Sequence, residues 1–203
     1  GVNAGNAVTT GTQNTLVGSL AGDALTDADQ NVAIGASALT TDTLGTGSVA
    51  IGYAALNEQN FTTATTTYNI AIGYKAGETL ATGVRNTLIG GLAGDALTNS
   101  GSNVAIGYNS MTTNTSGSDN VAVGRGTLEN FNVTTTTSTY NVAIGHEAGN
   151  DITTGVNNTL IGGLAGDALT TAGNNVAVGY QAHSSDDLGS RNVSVGTEAL
   201  SDM

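Results

Sequence analysis

Asp23, Asp95 and Asp167 are the residues whose type and setting come nearest to a chemical motif. Each lies in a Leu-Ala-Gly-Asp-Ala-Leu segment, and Gly90-Gly91-Leu92-Ala93-Gly94-Asp95 approaches the Gly-Gly-x-Gly-x-Asp of calcium-binding turns. Calcium takes carboxylate and carbonyl oxygens, so the residue types suit it. The spacing does not, being one residue too long. The three aspartates also recur at long, equal intervals. If each interval makes four stacked layers, the carboxylates stand ~19 Å apart at ~4.8 Å per layer, beyond shared ligation. A turn bearing a surface Asp is the reading. Only symmetry copies of one Asp in an oligomer would bring three carboxylates together.

Catalysis finds even less support. His146 and His183 have no nucleophile beside them in sequence, and Asp186-Asp187 sits in a polar link that reads as a solvated corner. Glycoside cleavage needs two carboxylates at a set separation. There is no cysteine, hence no thiolate metal site and no disulfide framework. No catalytic residue, cofactor or metal site is assigned. Two Thr-rich segments, Phe61 to Tyr68 and Phe131 to Tyr140, are the better candidates for contact with a partner. Phe61, Thr65 and Tyr68 in one, and Phe131, Thr135 and Tyr140 in the other, are the proposed binding-loop residues. The competing expectation is that these loops pack back onto the protein or against an adjacent copy of the chain. Sequons at Asn60-Phe61-Thr62 and Asn132-Val133-Thr134 matter only in a host that glycosylates them.

A repeat must position all of these residues. Asn-(Val/Thr/Ile)-(Ala/Leu)-(Ile/Val)-Gly recurs with its glycine at Gly18, Gly35, Gly52, Gly73, Gly90, Gly107, Gly124, Gly145, Gly162, Gly179 and Gly196. The spacing is 17 throughout, except for two gaps of 21 that contain the Thr-rich segments. Fixed-period self-similarity marks an array whose units bury apolar surface against their neighbours. We therefore expect one array over 1–203, in super-repeats 1–72, 73–144 and a partial 145–203, cut from a longer one. Five-residue apolar motifs bounded by glycine leave little room for helix. The expected fold is all-β: a parallel β-roll, or β-solenoid, of about eleven coils, each of 17 or 21 by the glycine spacing. Each coil should hold the motif strand, a corner at its Gly, and a second strand such as Tyr53 to Leu56 or Tyr108 to Met111. Asn opens every motif except that at Ser48, and stacked Asn side chains would form an amide ladder.

Alternation within Asn31-Val32-Ala33-Ile34-Gly35 puts Val32 and Ile34 on one face and Ala33 on the other. Taking the β-branched pair as core leaves the middle residue outside. That residue is Ala33, Ala50, Ala71, Ala105, Ala122, Ala143 and Ala177, Leu16, Leu88 and Leu160, and Ser194. A stripe so apolar should be covered, and the ten Ala and Leu positions are the expected subunit interface. Tyr53, Tyr74, Tyr108 and Tyr180, directly after the motif Gly, are expected to stack at the roll's edge or in the seam between chains.

Asn-Val-Ala-Ile-Gly and Asn-Thr-Leu-Ile-Gly, over nearly the whole chain, resemble the YadA-like head repeats of trimeric autotransporter adhesins. They also resemble related repeats of phage tail fibres and bacterial surface fibres. The resemblance implies a left-handed roll, a homotrimer and an adhesive or spacer role without catalysis. Charge fits such a role. The chain carries 16 acidic and 4 basic residues, a net −12. A basic footprint for nucleic acid is missing, and no run of 18 apolar residues offers membrane insertion. The expected setting is extracellular, on a cell or a virion. A receptor-binding head recognising glycan or protein through the Thr-rich loops is one alternative, and a self-assembling filament or matrix protein another.

Overall fold

The computed structural model describes residues 1–185 and 187–201, and among these it is all-β with no helix. Eleven three-residue strands form one parallel sheet in chain order: Thr15–Val17, Val32–Ile34, Val49–Ile51, Ile70–Ile72, Thr87–Ile89, Val104–Ile106, Val121–Val123, Val142–Ile144, Thr159–Ile161, Val176–Val178 and Val193–Val195. Thr15 faces Val32, Val32 faces Val49, and Val49 faces Ile70 across the first Thr-rich segment. The chain is a parallel β-solenoid of about eleven coils. At ~4.8 Å per step the sheet is roughly 50 Å long.

The recurring letters of the repeat hold neighbouring coils together. Asn103 Oδ1 accepts the backbone N–H of Asn120 at 3.0 Å, and Asn103 Nδ2 donates to Gly117 O at 3.0 Å. Asn86, Asn141, Asn158 and Asn175 make the same backbone bond to the next coil. The expected amide ladder is therefore present. At Ser48 it has no amide, and Gln59 fills in. Its Nε2 donates to Ser48 Oγ at 2.8 Å, and its Oε1 accepts from Asn69 Nδ2 at 2.8 Å.

The motif glycines have φ between +130° and +142°. From Gly18 to Gly179, an added Cβ would lie 2.3–2.5 Å from the carbonyl oxygen of the next motif glycine. Conformation and close approach together leave only glycine.

Two expectations are corrected. Tyr53 to Leu56 and Tyr108 to Met111 are turns, not strands. Ala54, Leu56, Asn109 and Met111 have φ of +54°, +49°, +57° and +54°, which a strand does not accommodate. Such residues cost ~1–2 kcal/mol each in the left-handed region. Hydrogen bonds between coils hold them there, as from Ala54 N to Ala36 O at 3.0 Å and Leu56 N to Ala76 O at 3.1 Å.

The second correction inverts the sheet. Ala33, Ala50, Ala71, Ala105, Ala122, Ala143, Ala177, Leu88 and Leu160 are 0 % exposed within the single chain, and Leu16 packs partly buried against the same core. These ten residues line the inside of the roll and are not a subunit interface. The β-branched residues on either side of them point outward. The cause is thickness, because the coil encloses only one small residue opposite one large one. Leu88 fits only between Gly77 and Gly94, where added Cβ atoms would lie 2.7 and 2.8 Å from its methyls. A Val–Ile pair per coil has no room inside.

Candidate functional site

Inverting the sheet turns its outer surface into the main feature of the molecule. The first and third residues of each strand form two columns of Thr, Val and Ile along the rod. Most are half-buried, while Ile34, Ile144 and Ile161 are 37–39 % exposed. Among the described residues nothing else lies over them. Neither column contains a charged residue.

Two further columns border this face. The residues preceding the ladder positions are Gln13, Gln30, Gly47, Tyr68, Arg85, Ser102, Asp119, Tyr140, Asn157, Asn174 and Arg191. Those following the motif glycines are Ser19, Ala36, Tyr53, Tyr74, Gly91, Tyr108, Arg125, His146, Gly163, Tyr180 and Thr197. All are exposed or half-buried. Tyr53 and Tyr74 stack with ring centroids 5.5 Å apart and planes 14° from parallel. Lys75 Nζ lies 5.8 Å from the Tyr74 centroid and 3.1 Å from Glu78 Oε2. Further along, Arg125 Nη2 lies 2.6 Å from Glu147 Oε1, and its Nε donates to His146 Nε2 at 3.0 Å.

Negative charge is sparse on the whole surface. Three of the four basic residues (Arg85, Arg125, Arg191) lie in the border columns, against one of the sixteen acidic ones (Asp119). Three cations less one anion leave +2 on the face, so the remainder of a chain of net −12 carries −14. An apolar strip cleared of negative charge, on an otherwise acidic rod, has the composition of an interface centre.

The Thr-rich segments lie beside this face and add two small parallel pairs, Gly45–Thr46 with Thr65–Thr66 and Gly117–Ser118 with Thr137–Ser138. Phe61 and Phe131 are core residues and cannot anchor a ligand. Tyr68 and Tyr140 are well exposed, as are Thr62, Thr63 and Thr134 to Thr137. Thr65 is half-buried, its Oγ1 donating to Thr63 O at 2.9 Å. Of the sequon residues, Asn60 is exposed, whereas Asn132 Oδ1 accepts from Thr115 Oγ1 at 2.8 Å.

Sequence reasoning missed the buried polar cluster behind the first Thr-rich segment. Asp42 accepts from Gln59 Nε2 at 2.6 Å, from Phe61 N at 3.0 Å and from Gly45 N at 3.1 Å. Burial pushes the Asp42 carboxyl above the usual carboxylate range, against the lowering effect of these donors. Its signal was an Asp seven residues after a motif glycine, where Leu25, Leu80, Leu97 and Leu169 stand in other coils.

Asp95 accepts from Thr112 Oγ1 and is pushed up chiefly by burial, as is Asp167. Among the described residues no three His, Cys, Asp or Glu side chains converge as a metal-holding group. Asp187 is exposed; Asp186 lies outside the described residues. No protein-family model, curated protein or solved structure matches the chain.

Proposed function

We propose that this chain is a structural and adhesive segment of an extracellular fibre, assembled as a homotrimer with the outward aliphatic face turned to a shared axis. A surface-adhesin head and a phage tail-fibre shaft are both rods of this kind. One observation carries the reading: an uncovered eleven-strand face, aliphatic and free of acid along its centre. Isolated monomers seldom leave so long an apolar strip in water. Each added coil lengthens the rod without changing that strip, which suits reach and presentation, and no reaction is assigned. The acidic remainder would give a trimer a net charge of about −36, which favours solubility at an outer surface.

Light scattering on the purified chain tests assembly. A mass three times that of the 20.0 kDa chain is expected. A folded particle of single-chain mass would sink the trimer and the fibre with it. A second reading, receptor binding through the Thr-rich loops, draws on the exposure of Tyr68, Tyr140 and Thr134 to Thr137. Glycan and protein arrays probed with and without the two segments test it, and binding independent of the loops would refute it.

A further inference from the structure

The two border columns have a property that the aliphatic face alone does not require. They lie at opposite ends of the same strands, six residues apart in sequence, so within one chain they are separated by up to ~20 Å. They nonetheless match level by level. Asp119 shares its level with Arg125, and these are the one acid of the face and one of its three cations. Gly47 shares a level with Tyr53, Arg85 with Gly91, and Asn157 with Gly163, so a glycine is set opposite a larger residue three times. Tyr68 stands level with Tyr74, and Tyr140 with His146, which places planar rings together. At no level do like charges coincide.

We propose that the two edges meet across neighbouring copies, residue n of one chain lying opposite residue n+6 of the next. The occupant of each edge is a second copy of this chain. This rests on the trimeric reading above and assigns its contacts. In a ring closed by rotation every interface is heterologous, joining one edge of a subunit to the other edge of its neighbour. Rotation about an axis along the rod includes no translation, so residues at equal height meet. The strands pair residue for residue from coil to coil, so both edges of the sheet advance by the same step at every coil. Asp119 would then accept from the neighbour's Arg125. That contact competes with the in-chain bonds of Arg125 to Glu147 and of Asp119 to Ser138. Opposite charges at one level also fix register, since sliding a copy by one coil moves Arg125 away from its acid.

The chain contains no cysteine, so introduced thiols report without background. Asp119→Cys/Arg125→Cys, treated with a short bismaleimide, should give a covalent trimer on a denaturing gel. Gln30→Cys/Arg125→Cys, whose sites stand five levels apart or ~24 Å, should not. Two single-cysteine chains, Asp119→Cys and Arg125→Cys, should fail to cross-link alone and yield a covalent dimer once refolded together. If light scattering reports the trimer mass but neither the double variant nor the mixture cross-links, the edge pairing is wrong and the fibre reading survives. Linking of either single variant to itself would also overturn the pairing, because it requires an isologous seam. A particle of single-chain mass removes both.

Discussion

Replacing Asn103 by alanine should show how much of this rod depends on its amide ladder. Asn103 is fully buried. Its Oδ1 accepts from the Asn120 backbone N–H at 3.0 Å and from Asn120 Nδ2 at 3.1 Å, and its Nδ2 donates to Gly117 O at 3.0 Å. Alanine removes three bonds and leaves the buried Asn120 backbone N–H without its partner, while Gly117 O keeps its bond from Asn114 Nδ2 at 2.9 Å. At about 1–3 kcal/mol for one orphaned group, the expected cost is of that size and is concentrated at one junction between coils. Stacked arrays respond locally, so global melting understates such a lesion. Native-state amide exchange is the better assay. At about 1.4 kcal/mol per tenfold, protection of Asn120 N–H should fall by roughly five-fold or more, while that of Asn158 N–H, two coils away, changes little. Asn103→Ser should behave almost as badly, since coil 103–119 has no glutamine placed as Gln59 is for Ser48. Unchanged Asn120 protection would mean that water or a shifted backbone replaces the amide, and the ladder would lose its structural role.

Other perturbations test separate parts of the molecule. Gly107→Ala should block stable stacking at that coil, because φ is +140° and the new Cβ would lie 2.3 Å from Gly124 O; loss of exchange protection across 104–123 checks it. Leu88→Ala should cost ~2–5 kcal/mol in urea unfolding, while Gly94→Ala should cost less in the Leu88→Ala background than alone, since its Cβ meets the Leu88 methyl at 2.8 Å. Ile106→Asp, on the outer face, should leave the coil folded by circular dichroism but shift the scattering mass toward 20.0 kDa; an intact trimer would refute the placement of the interface. Asp42→Asn should make stability less dependent on pH. Because burial raises the folded-state pKa of Asp42 above its unfolded value, proton binding favours the fold. That contribution is complete below the unfolded pKa and is lost as pH rises through the folded one. The variant should therefore gain on the native chain as pH rises through that window, as read by paired melting curves, and parallel curves would show that Asp42 does not titrate there.

What the sequence disclosed was whatever a single residue must do for its own backbone. Gly107 needs a conformation closed to other residues, and Asn103 must satisfy a buried amide one coil away, so both recur visibly. The left-handed residues of the turns were hidden, because Leu56, Lys75 and Met111 carry no such mark and are held at positive φ by bonds between coils. The direction of the strand was misjudged for a volumetric reason. β-Branched pairs ordinarily indicate a core, but a wall this close to the sheet admits alanine and rejects valine. A signal for the true direction did exist. Each motif leucine has glycines eleven residues before and six residues after it: Gly5 and Gly22 around Leu16, Gly77 and Gly94 around Leu88, Gly149 and Gly166 around Leu160. A residue that needs two glycines to make space for it faces inward.

The proposed interaction surface was less legible, because it is a property of columns and not of segments. Along the chain, Arg85, Arg125 and Arg191 look like scattered charges, and the tyrosines like ornaments of the motif. Only the coil register shows that three of four cations border a strip that excludes fifteen of sixteen acids. Random placement of the charges on an acidic chain would put several carboxylates on a strip of this size. Their absence is therefore a constraint on the face itself, and it acts over the full length of the sheet. A ligand site would need its exceptional residues in one place. A constraint spread evenly over eleven coils is what a partner of the same length and period would impose, which is why another copy of this chain is the partner proposed above.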